Sequence, residues 1–146
     1  MQTFMPYPDM DRCAKVLDRQ RLGKQRVECQ QILQALAGGT GWSNHPATKM
    51  WRGHERALAI YGLSMTTEWV KRGYKDTRRP VLIELAKSFS HTSVIEPAWW
   101  GDPRVHHSHQ AMLLRKDREH YQLAFSMSDQ QVQGLLDKHQ SYIWPV

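Results

Sequence analysis

The chain has 146 residues, of which 40% are hydrophobic, and its 20 Lys and Arg against 14 Asp and Glu give a formal net charge of +6. That length allows one compact domain with a buried core and is too short for two ordinary ones, so we expect a single domain over residues 1–146. The positive charge favours a polyanionic partner such as nucleic acid. No apolar run is long enough to cross a bilayer or to form a secretion signal, so we expect a cytoplasmic protein with no membrane partner.

Hydrophobic periodicity predicts a mainly helical chain. The first and longest helix is predicted over 11–37, where the sequence GGTG ends it. A second is predicted over 47–72, with Gly73 at its end. Shorter helices are expected at 80–89, 104–125 and 128–139, the last opened by Ser128 with Gln131 three residues on, which is typical of a capping box. Only the opening QTFMPY is strand-like, so we expect an all-α fold with an extended N-terminus.

The two cysteines, Cys13 and Cys29, are expected to be free thiols. If both lie on one continuous first helix, sixteen residues separate them by roughly 24 Å, which is far beyond the reach of a disulfide. Free thiols are typical of a reducing compartment.

Charged side chains follow one edge of the first helix. Leu17, Arg21, Lys24 and Glu28 fall on a stripe beside the apolar face. One interpretation is a solvated edge on which Lys24 and Glu28 form a weak ion pair. The other is a carboxylate kept ionised among cations and available to stabilise a developing positive charge or to move a proton. Spacing does not choose between them.

A second cluster, GWSNHPATKMWRGHE over 41–55, contains Asn44, His45, Trp51 and Arg52 around a helix start. Aromatic faces, cations and a free helix N-terminus suit an unpaired nucleotide. The alternative is that Trp51 belongs to the core and that Asn44 is only a helix cap.

Three histidines fall within four positions in WWGDPRVHHSHQAMLLRKDREHY, residues 99–121. His106 and His109 share a helix face, but no cysteine or carboxylate pattern of the zinc type accompanies them. We therefore expect neither a metal nor another cofactor, and we expect His109 to contact sugar or phosphate.

Three blocks of the chain resemble the pyrimidine-dimer DNA glycosylase superfamily, typified by phage endonuclease V. These are QRLGKQRVE at 20–28, NHPATKMWRGHERALAIYGLSMTTEWVKRGY at 44–74 and RVHHSHQAMLLRKDREHY at 104–121. Their order and separation also match, and the resemblance covers most of the chain. It looks closest to a bacterial and phage subgroup whose members begin like MQTFMPYPD and end like YIWP.

The resemblance implies a compact all-helical enzyme whose N-terminal segment is threaded between helices. In such enzymes the α-amine of the chain attacks C1′ of the damaged nucleotide, the base leaves, and the resulting Schiff base undergoes β-elimination that nicks the strand, without a metal. Glu28 matches the glutamate of the family, and Arg26 matches the arginine before it. Here Val27 separates the two, whereas the typified enzyme has them adjacent.

A further departure lies at the start of the chain, where the family enzyme exposes a small second residue. Gln2 is bulky and should leave Met1 in place. Three interpretations remain open: the Met1 amine attacks with a one-residue shift, Lys24 is the amine, or Glu28 activates water without a covalent step. We place the Met1 amine first.

The resemblance therefore implies a DNA glycosylase, with or without AP lyase activity, that acts on a pyrimidine dimer or another modified base in double-stranded DNA. We expect a monomer whose DNA contacts are Arg21, Lys24, Arg26, Asn44, His45, Trp51, Arg52 and His109. Two other interpretations remain: a DNA-binding domain of the same fold without catalysis, and a helical adaptor for an acidic protein.

Overall fold

The computed structural model describes residues 1–39 and 41–146, and these contain eight α-helices and no strand. The helices are α1 (Met10–Val16), α2 (Arg19–Leu36), α3 (Pro46–Lys49), α4 (Glu55–Lys71), α5 (Arg79–Ser88), α6 (Pro103–Lys116), α7 (Arg118–Ala124) and α8 (Asp129–Lys138). The expected all-α fold is confirmed, and the division of the chain into one domain stays a prediction. No helix in the described ranges is both long and apolar enough to cross a membrane.

Three of the helices predicted as continuous are interrupted in the structure, two by an Asp that caps the next helix and one by a turn that contains a glycine with positive φ. Asp18 separates α1 from α2 and accepts a hydrogen bond from the Arg21 N–H. Gly53, with φ of +87°, lies between α3 and α4. Asp117 ends α6, and its side chain caps α7 by accepting from His120 N–H. An Asp side chain competes with the helical backbone for hydrogen bonds, and glycine adopts a positive φ without strain.

The helix ends at residues 79–88 and 129–138 agree with prediction within one residue, and the capping box of Ser128 and Gln131 is present in both directions. Both cysteines are buried free thiols, as expected. The premise of a continuous helix between them was wrong, since Cys13 lies on α1 and Cys29 on α2. Burial raises the pKa of Cys13 to about 12, so this thiol stays protonated at neutral pH.

The core lies between α2 and α4, with α1 and α5 packed on α4 and with α7 and α8 packed on α6. The apolar face predicted for α2 is buried at Leu22, Cys29, Ile32 and Leu33. Residues 2–5 run through this core as a buried segment that belongs to no helix or strand. The N-terminal segment, residues 1–6, therefore lies between helices, and its position defines the site described next.

Candidate active site

The first half of the N-terminal segment is held by side chains of α2 and α4. Gln25 on α2 donates to the Gln2 carbonyl and accepts from the Phe4 N–H, both at 2.9 Å. The Tyr61 hydroxyl on α4 lies 2.6 Å from the Phe4 carbonyl. A buried backbone group without a partner costs about 1–3 kcal/mol. These polar side chains therefore replace the ladder that a neighbouring strand would have supplied.

The second half of the segment is held by α6, and this explains the histidine cluster. His109 Nδ1 accepts from the Met5 N–H at 3.1 Å, and His106 Nδ1 donates to the Met5 carbonyl at 2.7 Å. Gln110 donates to the Pro6 carbonyl, also at 2.7 Å. Burial lowers the pKa of His109 to about 3, so this imidazole is neutral and able to accept.

A cleft of about 260 Å³ opens beside the start of the N-terminal segment. It is lined by three residues of the N-terminal segment, four side chains of α2, the last residue of α6 and one residue near the C-terminus. These are Met1, Gln2, Phe4, Gln20, Arg21, Lys24, Glu28, Lys116 and Tyr142. The charged stripe predicted on the first helix thus faces one cleft, except for Leu17, which is fully buried.

Glu28 is the acidic residue in the lining of this cleft, and its two oxygens have different surroundings. Oε2 accepts from Gln25 Nε2 at 2.9 Å and from the Gln2 N–H at 3.4 Å. Among the described residues, Oε1 has no hydrogen-bond partner and Lys24 forms no ion pair with Glu28. One carboxylate oxygen is therefore held by the protein, and the other is left for a ligand.

Three cationic side chains share the cleft lining with Glu28, and one of them is fixed by an ion pair. Arg21 forms a 3.1 Å ion pair with Asp18, which also accepts a hydrogen bond from the Tyr121 hydroxyl. Burial acts to raise the pKa of Asp18, but the hydrogen bonds from Tyr121 and Arg21 outweigh it and hold that pKa below its usual value. Lys24 and Lys116 have no carboxylate within 4 Å in the described part of the chain. These two ammonium groups therefore remain available to phosphate.

His45 lies beside the cleft and caps α3. Its Nδ1 accepts from the Ala47 N–H at 3.0 Å, and its ring meets those of Trp42 and Trp144 edge to face, with centroids 5.7 and 5.8 Å away. Burial and the nearby positive α-amine of Met1 lower the pKa of His45. The His45 imidazole is therefore neutral at pH 7, and it lies close enough to Met1 for the charge of the α-amine to affect its pKa.

Two residues expected at the site lie elsewhere. Arg26 forms a 2.5 Å ion pair with Asp76, and its guanidinium lies 4.3 Å from the centre of the Trp69 ring. Trp51 is fully buried and donates from Nε1 to Thr3 Oγ1 at 3.1 Å. Neither side chain lines the cleft.

The remaining expected DNA contacts are divided between surface and interior. Asn44 and Arg52 are exposed. The interpretation of Asn44 as a helix cap is wrong, since His45 occupies that position. His109 is fully buried, and its Nε2 has no partner in the described structure, while its ring packs 5.0 Å from that of Tyr142.

Five residues of this region were missed from the sequence: Phe4, Gln20, Gln25, Lys116 and Tyr142. Lys116 lies 88 positions after Glu28, and no pattern of spacing connects residues so distant. Gln25 did carry a signal, because it falls on the buried face of α2, one turn before Cys29, where an amide needs partners.

Comparisons with known proteins bear on this geometry. A family model described as pyrimidine dimer DNA glycosylase matches residues 1–80, which include the N-terminal segment, α2 and α4. No curated protein and no solved structure matched in the corresponding searches. The matched range contains seven of the nine residues that line the cleft.

Proposed function

This chain belongs to the pyrimidine dimer DNA glycosylase family, and from that premise we propose that it removes a damaged or modified pyrimidine base from double-stranded DNA. The observation that carries the proposal is the cleft in which Met1, Gln2 and Glu28 meet among three cations. A pyrimidine dimer is the substrate that the family suggests. The sugar of a nucleotide with another modified pyrimidine would lie against the same three residues of the cleft.

The proposed reaction uses the Met1 α-amine as nucleophile. Its nitrogen bonds to C1′ while the bond from C1′ to the base breaks, and the base leaves with the electron pair and takes up a proton. The nitrogen then loses a proton, and the C1′–O4′ bond breaks as O4′ takes up a proton, which gives an imine. Removal of a C2′ proton then expels the 3′ phosphate by β-elimination, with the electron pair of the C3′–O bond. An α-amine suits this step because its ordinary pKa of about 7.7–8.0 leaves a neutral fraction at physiological pH.

Glu28 is proposed to stabilise the positive charge that develops at the sugar and to carry protons through Oε1. This oxygen has no partner in the described structure, whereas Oε2 is occupied by Gln25 and Gln2. Preorganised charge next to the reacting atom stabilises the transition state without reorganisation of solvent.

Two other kinds of nucleophile, a lysine side chain and a water molecule, compete with the Met1 α-amine in this proposal. Lys24 and Lys116 both line the cleft, and either amine forms an imine once it is neutral. Water activated by Glu28 would release the base without any covalent adduct. The three routes leave different products on the protein, so one experiment separates them.

DNA binding is assigned to the cations around the cleft. Arg21, Lys24 and Lys116 are proposed to contact the phosphates that flank the extruded nucleotide, with Asn44, His45 and Arg52 on the neighbouring surface. Extrusion requires unstacking of the base, which costs a few kcal/mol and least at damaged bases. Trp51, His109 and Arg26 have partners within the protein and are not assigned contacts with DNA.

The test is borohydride trapping on an abasic duplex and on an ultraviolet-irradiated duplex, after the intact mass has established which residue carries the α-amine. Peptide mapping then locates the adduct. An adduct on the Met1 amine supports the proposal, and one on Lys24 or Lys116 replaces the nucleophile. Base release without an adduct indicates activated water.

The matched variant is Glu28→Gln, which preserves shape and removes charge. Base release should fall by at least about a hundredfold, while the affinity for undamaged duplex is retained. Wild-type protein that binds duplex but neither traps nor releases a base would indicate a DNA-binding domain of this fold. Equal affinity for duplex DNA and for an acidic peptide would contradict both the glycosylase and the non-catalytic DNA-binding domain.

A further inference from the structure

The Gln25 carboxamide joins three parts of the chain at one buried point. Gln25 is fully buried on α2. Its Nε2 donates to the Gln2 carbonyl and to Glu28 Oε2, each at 2.9 Å. Its Oε1 accepts from the Phe4 N–H at 2.9 Å and lies 2.6 Å from the Tyr61 hydroxyl. Both N–H groups of the amide and one lone pair of Oε1 are therefore used, and the single proton of the Tyr61 hydroxyl is shared between Oε1 and the Phe4 carbonyl.

The partners also fix which end of the amide is nitrogen. Turning the group over would set its NH₂ against the Phe4 N–H. It would also set its oxygen against the Gln2 carbonyl and the Glu28 carboxylate. Every hydrogen bond to the backbone and to the carboxylate would become a repulsion, so only one orientation is compatible with its surroundings.

One planar group therefore sets the separation between the N-terminal segment and Glu28. The two N–H groups of Nε2 point to the backbone of Gln2 and to the carboxylate, and the amide plane fixes the angle between them. The same contact selects which oxygen of Glu28 is left free toward the cleft, because Oε2 is taken.

We propose that Gln25 is a positioning residue that aligns the chain start and the Glu28 carboxylate for attack on the sugar. This inference rests on the proposed function. Gln25 does not line the cleft, so it acts through Gln2 and Glu28 rather than on the substrate. A displacement of about 1 Å at a reacting group lowers a rate by up to a hundredfold.

A second buried amide provides the matched control. Gln110 donates to the Pro6 carbonyl at 2.7 Å and is 7% exposed. It anchors the same N-terminal segment from α6, but it does not contact Glu28. A purely structural role of Gln25 in holding the segment would make the two amides equivalent.

The test compares Gln25→Met with Gln110→Met, each alone and combined with Glu28→Asp. Methionine has a similar volume and no amide, and Glu28→Asp keeps the charge but withdraws the carboxylate by one methylene. Single-turnover borohydride trapping on saturating abasic duplex gives the rate, and duplex affinity is measured separately. Hydrogen exchange at the Phe4 N–H is measured in each protein and needs no substrate.

We expect Gln25→Met to slow trapping by at least about tenfold at unchanged duplex affinity, and by less than about threefold once Glu28→Asp is present. Gln110→Met should have one and the same effect in both backgrounds. Equal effects of Gln25→Met in both backgrounds, or none, would overturn the proposal.

Hydrogen exchange keeps the inference separate from the proposed function. If wild-type protein neither forms a trapped DNA adduct nor releases a base, the proposed function fails. Hydrogen exchange at the Phe4 N–H then tests by itself whether Gln25 holds the N-terminal segment. The Phe4 N–H should then exchange at least about tenfold faster in Gln25→Met than in Gln110→Met. Unchanged protection in Gln25→Met would overturn the role of Gln25.

Discussion

Substitution of His109 by asparagine should remove about 2 kcal/mol of the loss of stability that acid causes between pH 7 and pH 5. His109 is fully buried with a pKa of about 3, against an ordinary value of 6.5. Below pH 6.5 the unfolded chain binds a proton at this residue and the folded chain does not, so the free energy of unfolding falls with pH until about pH 3. At pH 5 the difference amounts to about 2 kcal/mol.

The substitution is chosen because asparagine preserves the contact to the N-terminal segment. Its Oδ1 occupies nearly the position of the imidazole Nδ1 that accepts from the Met5 N–H, and it does not titrate. The lost ring packing against Tyr142 lowers stability at both pH values equally and cancels from the comparison. His106, whose pKa is also lowered by burial, contributes in the same direction in both proteins.

Urea unfolding at pH 7 and pH 5, followed by circular dichroism, measures the effect. The wild type should lose about 2 kcal/mol more than His109→Asn over this interval. A variant that loses as much stability as the wild type would show that His109 is not the buried neutral group described here.

Three other substitutions test separate parts of the structure. Lys116→Ala should weaken duplex binding and reduce the slope of log affinity against log salt by about 0.9, measured by fluorescence anisotropy, because one phosphate contact is lost. Asp76→Asn should lower the free energy of unfolding by about 2 kcal/mol through Arg26, yet leave trapping per folded molecule unchanged, since Arg26 does not line the cleft. Ser128→Ala should lower the melting temperature through the loss of about 1 kcal/mol of capping, and an unchanged value would contradict the capping box with Gln131.

Local patterns in the sequence predicted much of the fold, and non-local contacts account for most of what they missed. The apolar face of α2 and the capping box of α8 follow from spacing within one or two turns, and both are present. The breaks at Asp18 and Asp117 were missed because the apolar period continues across them, although an Asp before a helical run is itself a capping signal.

The candidate site divides in the same way. Arg21, Lys24 and Glu28 share a helix edge, and the stripe was visible from the sequence. Lys116 and Tyr142 reach the cleft from the C-terminal part of the chain. Their position there depends on how the helices pack, which the sequence pattern does not reveal. His109 was expected to contact sugar or phosphate, but it accepts a hydrogen bond from the Met5 N–H, and His106 on the same helix donates one to the Met5 carbonyl.

The attachment of the N-terminal segment has a consequence for the order of folding. Met5 and Pro6 are bound by residues that follow them by 101 to 104 positions, and loops of that length close late. During synthesis the first residues emerge long before α6 exists, and the nascent chain then has partners for Gln2 and Phe4 on α2 and α4 but none for Met5 and Pro6. The cleft, whose lining includes Lys116 and Tyr142, can therefore assemble only when nearly the whole chain has been made, and a chain truncated before α6 would leave the Met5 and Pro6 backbone without its partners.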